Sequence, residues 1–232
     1  MKTTDRFIVI CFCFFIATSQ IFAQGEFLKR GESGWGVAGS AAFVQTSSAY
    51  GISFGYSFKG FFDVGLGVGR GYQGEGGDYQ VYSNFIAPSI TVYLAKQDGR
   101  KRTPTIALSL SYQYVSINTP EPTGYYDPTP APYGSYRYTG TEIHTSDDQS
   151  FNASFTFSDN VFKENSSIIQ PTISFGYSCN GSVNQFGAQI GISLGGRLEG
   201  DFILALTPMV GYVLVSGMSI FTGGIELAFV SF

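Results

Sequence analysis

Tyr50-Gly51-Ile52-Ser53-Phe54-Gly55-Tyr56-Ser57-Phe58 is the stretch that decides the fold. Every even position holds a large apolar or aromatic side chain, and every odd position holds only Gly or Ser. A period of two marks a β-strand, whose side chains alternate between the two faces of a sheet. The second face is the informative one. A soluble β-protein turns that face to water and loads it with Lys, Glu, Asp and Arg. A face of Gly and Ser would instead invite edge pairing and aggregation. The pattern makes sense turned inside out, with the aromatic side toward lipid and the small polar side toward a narrow lumen.

The same alternation runs outward from this stretch in both directions. Phe62, Val64, Leu66 and Val68 carry it on, followed by Ile106, Leu108, Leu110, Tyr112 and Tyr114. It returns in Phe151, Phe155 and Phe157, in Ile169, Ile173, Phe175 and Tyr177, and in Phe186, Ile190, Ile192 and Leu194. Weaker members are Trp35, Val37 and Phe43; Tyr82, Ile86, Ile90, Val92 and Leu94; Phe202, Leu204, Leu206, Val210, Tyr212 and Leu214; and Phe221, Ile225, Leu227 and Phe229. These give segments 34–45, 49–58, 61–71, 81–95, 103–118, 149–158, 167–178, 183–194, 201–214 and 220–232. In lipid every backbone N–H and C=O must be paired within the protein, so such a sheet has to close on itself. The expected fold is all-β: a closed, antiparallel, up-and-down transmembrane β-barrel of about ten strands. Eight is the alternative if 149–178 does not hold two full strands.

Composition agrees. Charged residues make up 13% of the 232-residue chain, against roughly 25% in a typical soluble domain. The body of the chain has no apolar run near the ~20 residues of a spanning helix. At the N-terminus Lys2 and Arg6 precede the apolar run Phe7 to Ala17, with small or polar residues up to Ala23. That is the layout of a secretory signal peptide over 1–23, cut before Gln24. A short periplasmic segment, 24–33, and a barrel domain, 34–232, would follow. Cys11 and Cys13 would leave with the signal peptide, so the mature chain keeps Cys179 alone and has neither a disulfide framework nor a cysteine zinc site. The formal net charge is −4, with no basic patch for nucleic acid.

An even strand count puts both chain ends on the periplasmic side. External loops then fall near 46–48, 72–80, 119–148, 179–182 and 215–219, and the turns Lys96 to Arg102 and Asp159 to Ser166 lie inside. Tyr56, Phe58, Phe61, Phe62, Tyr72, Tyr79, Tyr82, Tyr112 and Tyr177 sit at or near strand ends, where barrels place aromatic girdles. Pro88, Pro104, Pro171 and Pro208 are expected at strand starts, bulges or bends, because proline cannot donate to a ladder.

The chain closes on Gly224-Ile225-Glu226-Leu227-Ala228-Phe229-Val230-Ser231-Phe232. An amphipathic last strand ending in Phe resembles the signal read by the barrel-insertion machinery of outer-membrane proteins. Phe232 falls on the side of Glu226, and a bulge near the end would restore its parity with Phe229. Together with the signal peptide and the Gly/aromatic hairpins, this makes residues 34–232 resemble small bacterial outer-membrane barrels of the OmpA/OmpX-like or PorT-like kind. The resemblance implies location in the outer membrane and contact with its lipid and lipopolysaccharide.

Few residues suggest chemistry. His144 lies in Glu142-Ile143-His144-Thr145-Ser146-Asp147-Asp148, where a rim base or a ligand set with Asp147 and Asp148 is conceivable, but no strand supplies a nucleophile. No catalytic, cofactor or metal site is therefore expected. The long loop 119–148 interleaves Pro120, Pro122, Pro128, Pro130 and Pro132 with Tyr125, Tyr126, Tyr133, Tyr136 and Tyr138, plus Arg137. Proline stiffens such a loop and tyrosine offers rigid amphipathic contact area. These tyrosines with Arg137 are the candidate interaction residues, facing an extracellular or periplasmic protein partner. The acidic loop Gly71 to Tyr79, with Glu75 and Asp78, reads as a flexible Gly-rich turn, the alternative being contact with a cation that bridges lipopolysaccharide phosphates. Asp63 and Glu226 are the expected lumenal acids, with Lys59 near the periplasmic mouth. The expected role is structural or interactive, without catalysis. The alternatives are a narrow pore or a ligand-binding transport barrel, and after those a rim hydrolase or acyltransferase.

Overall fold

The computed structural model describes residues 27–28, 31–44, 47–73, 81–96, 104–127, 135–159, 161–163, 167–180, 183–198 and 201–231. Residues 1–23, expected as a signal peptide, Glu75, Asp78 and Tyr79 of the expected acidic turn, Tyr133 and Phe232 lie outside them.

Alternation becomes structure as β1 Gly34–Val44, β2 Ser47–Phe58, β3 Phe62–Gln73, β4 Val81–Ala95, β5 Thr105–Asp127, β6 Ser135–Ser158, β7 Val161–Lys163, β8 Ser167–Asn180, β9 Val183–Leu198, β10 Phe202–Val215 and β11 Met218–Ser231. Each strand pairs antiparallel with its neighbour in sequence, except that β6 pairs β8 and not the short β7. β1 closes on β11 from Trp35↔Ser231 to Phe43↔Gly223, and β6 pairs β8 from Phe151↔Cys179 to Ser158↔Thr172. The three-residue β7 prolongs β6 along the same edge of β8, joined to it where Asp159 N donates to Pro171 O at 3.2 Å. β6 and β7 therefore share one place in the wall, and the ring has ten positions, with 149–178 holding two full strands.

The faces sort as the inverted pattern requires. Ile52, Phe54, Val64, Leu66, Ile86, Ile90, Ile190, Leu204 and Leu227 are exposed on the outside, while Ser53, Ser57, Thr91, Ser109, Thr156 and Ser193 are buried inside. An apolar exterior around a polar interior is stable only with hydrocarbon as the outer solvent, so the barrel is a transmembrane one. Aromatics cluster at both ends of the apolar belt. Trp35, Phe229 and Phe202 lie together at one end with Tyr56, Phe58 and Phe62, at ring separations of 4.6–5.9 Å. Tyr50 with Tyr72, and Tyr212 with Phe221, mark the other.

Two tight turns use left-handed backbone. Lys59 and Gly60 (φ 50° and 63°) reverse the chain between β2 and β3, and Ser216 and Gly217 (φ 47° and 82°) do so between β10 and β11. Positive φ at both central residues matches the right-handed twist of the strands they join.

Three expectations change. The described residues of 119–148 are not an irregular loop, because β5 and β6 continue as one ladder through Thr119↔His144, Glu121↔Glu142 and Tyr126↔Tyr136 to Asp127↔Ser135. A single register shift interrupts it at Thr123/Gly124. Pro104 stands just before the start of β5, as expected, but Pro88, Pro171 and Pro208 stand mid-strand without a bulge, in register with Leu66, Ile192 and Ile225. Pro88 and Pro208 leave a gap in the ladder on the other side, toward β5 and β9, where the missing N–H cannot donate. No bulge repairs the parity of the last strand either, since β11 keeps register with β1 and β10 as far as Ser231.

Candidate functional site

The lumen is built in three layers. At the end where β1 starts, Phe27 and Leu28 fold into the mouth and pack with Ala38, Ile168, Ile203, Ala205, Ala228 and Val230. Their segment is clipped across the opening. Gly31 N donates to Lys59 O at 2.9 Å, Lys59 N donates to Ser33 Oγ at 2.9 Å, and Arg197 Nη2 lies 3.8 Å from Glu32 Oε1. The described residues of 24–33 thus do more than lead into the barrel, because they pack and bond against its wall at one end.

At the opposite end a second apolar layer spans the lumen, formed by Ala42, Val44, Ala49, Phe85, Val115, Ile117, Val213, Val215 and Ile220. Phe85 reaches over the glycine row of β3, where a Cβ on Gly69 would collide with its ring and with the Tyr50 carbonyl oxygen. Glycine there is what lets the ring lie over the neighbouring strand.

Most of the remaining buried side chains on the inner face are polar. Asp63 and Glu226 both lie on the inner face, 5% and 2% exposed. Tyr93 Oη donates to Asp63 Oδ2 at 2.6 Å, and Lys96 Nζ sits 4.1 Å from the centre of the Tyr93 ring. Thr91 and Ser109 share a 2.8 Å hydrogen bond, and Thr207 Oγ1 donates to Ser193 Oγ at 2.8 Å. Gln113 Nε2, both amide atoms of Gln185 and Thr156 Oγ1 are buried without a hydrogen-bond partner among the described residues. Groups of this kind are normally met by trapped water. A cavity of about 10 Å³ beside Phe27, Gln189, Met209 and Glu226 has room for about one water.

The hairpin beyond the wall carries the remaining candidates. Side chains of Tyr125, Tyr126, Tyr136 and Arg137 lie outside the described residues, although their backbone belongs to the ladder. Tyr138 is described and exposed. His144 meets Glu121 and Glu142, with Nε2 3.7 and 4.0 Å from their carboxylates. Sequence proximity had set it beside Asp147 and Asp148, but the strand separates them. Asp147 faces outward, where it bonds Tyr114, and Asp148 Oδ2 accepts from Asn180 Nδ2 at 2.7 Å. Among the described residues no three His, Cys, Asp or Glu side chains gather as a metal site. Cys179 is a free, half-buried thiol.

The apolar seals were missed in the sequence because their members are few per strand. Their signal was available as parity: Val44, Val115, Val213 and Val215 stand on the Gly/Ser side of their strands.

No family model matches the sequence, and no curated protein matches it. Among solved structures, the β domain of the Bordetella autotransporter BrkA is similar over 86% of this chain and 99% of its own, with TM-score 0.50 and 10% identity. The N-terminal barrel of Pseudomonas aeruginosa OprF covers 85% and 96% at TM-score 0.36 and 8% identity. The outer-membrane protease OmpT of Escherichia coli covers 87% and 91% at TM-score 0.36 and 10% identity. At such identities the likeness to the BrkA domain is one of fold: that of bacterial outer-membrane β-barrels.

Proposed function

We propose that this chain is a closed outer-membrane barrel with a structural and interaction role, anchoring and displaying the β5–β6 hairpin beyond the membrane. The observation that carries this reading is the lumen. Ile203 and Val215, one in each apolar layer, are fully inaccessible to solvent, and hydrophobic constrictions block ions by dewetting. A barrel sealed at both ends is poorly suited to conduction, whereas the hairpin continues past the wall on its own ladder. A protein partner would meet the part of the hairpin whose sequence carries Tyr138, Arg137 and the neighbouring tyrosines. The last strand, ending at Phe232, would engage the insertion machinery, and lipopolysaccharide would surround the hairpin end.

Planar-bilayer recording tests the reading. The native chain is expected to give no resolved current steps, and a variant that opens both layers, Phe27→Ala and Ile203→Ser together with Phe85→Ala and Val215→Ser, is expected to introduce them. Steady conductance from the native chain would instead establish the pore reading, in which the polar middle layer is a permeation path. The rim-hydrolase reading requires His144, and unchanged lipid and peptide turnover in His144→Ala removes it.

A further inference from the structure

The outer face carries a cluster that hairpin display does not use. Across β2, β3 and β4 the lipid-facing rows read Phe54–Leu66–Pro88 and then Ile52–Val68–Ile86, all apolar. The next row toward the hairpin end is Tyr50–Arg70–Asn84, and the row after it is Ser48–Tyr72–Tyr82. A guanidinium thus stands one row above hydrocarbon-facing side chains, on a surface where a charge at mid-bilayer depth would be costly.

The group is held in place. Arg70 Nε donates to Asn84 Oδ1 at 2.7 Å, and its guanidinium carbon lies 5.5 Å from the centre of the Tyr82 ring. Tyr50 and Tyr72 set their hydroxyls 3.2 Å apart beside it. Among the described residues Arg70 has no carboxylate in ion-pair contact, and the outward-facing Asp147 is separated from the Arg70 row by Asn84 and Ser116. With Nε engaged by Asn84 and the guanidinium also donating to the Tyr72 hydroxyl, the remaining Nη hydrogens are left to bind an anion, and the Tyr82 hydroxyl and the Asn84 Nδ2 add further donors. Tyrosines at this height belong to the headgroup zone.

We propose that Arg70, with Tyr50, Tyr72, Tyr82 and Asn84, is a docking site for the phosphate of a lipid headgroup in the leaflet at the hairpin end. The planar fork suits bidentate contact with phosphate oxygens. The acyl chains of the same lipid would run down Ile52, Val68 and Ile86. The site rests on the reading of the chain as a membrane barrel.

Native mass spectrometry of the full chain tests it, after release from phosphatidylcholine nanodiscs doped with bisphosphorylated lipid A or with its dephosphorylated counterpart. The native protein is expected to retain the phosphorylated form preferentially. Arg70→Gln should lose roughly tenfold in that preference, the scale of a charge-assisted hydrogen bond. Arg70→Lys should keep part of it, with the charge but without the fork. Equal retention by native and Arg70→Gln protein overturns the site, as does complete displacement by millimolar inorganic phosphate, which would mark a free-anion site. Gel mobility with and without boiling is read on every variant. A barrel that shifts on boiling yet shows no lipid preference removes the docking site alone, whereas a chain that never enters the disc removes the membrane reading with it.

Discussion

β5 and β6 form one ladder that passes through two environments. From Thr105 to Asn118 and from Thr145 to Ser158 the pair is part of the wall, flanked by β4 on one side and, from Phe151 onward, by β8 on the other. Beyond Asn118 the pairing with β4 has ended, and the same two strands run on as a hairpin. In the wall, inward Ser109, Ser111, Asn152 and Thr156 are buried between neighbours. In the extension, Glu142, Ile143 and His144 are exposed. Pairing continues without burial because the ladder bonds belong to the backbone, whereas the hydrophobic period belongs to the side chains and their solvent. Position in the wall, more than strand character, should therefore set what a substitution costs.

Substitutions that strike the wall should show the largest effects. Gly69→Val forces a side chain into the Phe85 ring and the Tyr50 carbonyl, an overpacking cost of about 1–3 kcal/mol or more. The heat-sensitive band should be lost or reduced. Adding Phe85→Ala should restore only part of it, because the Tyr50 contact is backbone. Next comes Tyr93→Phe, which removes the phenol donor from a buried carboxylate at a cost of about 1–3 kcal/mol. A lower urea midpoint with an unchanged slope would show it.

The extension should respond weakly. Replacing 120–143 with an Asn-Gly turn is expected to leave the mobility shift intact and change the unfolding free energy by no more than about 0.5 kcal/mol. A barrel that collapses on this change would show that the hairpin supports the wall and would break the comparison. The smallest effect belongs to His144→Ala, since exposed pairs at 3.7 and 4.0 Å contribute little in water. An unchanged melting curve is expected. A measurable shift would mean that the hairpin face is covered.

The same contrast explains what could be read from the residues alone. Wall strands announced themselves through Tyr50 to Phe58 and their relatives, because one face meets lipid and the other a crowded lumen. The hairpin extension gave no such signal: with neither face buried, Thr119 to Tyr126 need not alternate, and prolines and tyrosines read as loop. Asp63 and Glu226 could be placed inward from parity, but the partnership of Asp63 with Tyr93 joins residues 30 positions apart and depends on β3 and β4 lying side by side. His144 was grouped with Asp147 and Asp148 by proximity in the chain, and strand geometry then sent Asp147 to the other face.

By itself the sequence determined the solvent, the alternation and the near-tenfold ring, because period two and the chemistry of each face are local properties of the chain. Closure of the lumen was decided only by the tertiary structure. Phe27 and Leu28 at one end, and Phe85 against Gly69 at the other, seal it through contacts between distant segments. So was the Arg70 cluster, where three strands bring Tyr50, Arg70 and Asn84 into one row. Register is a property of paired strands, and no single strand carries it.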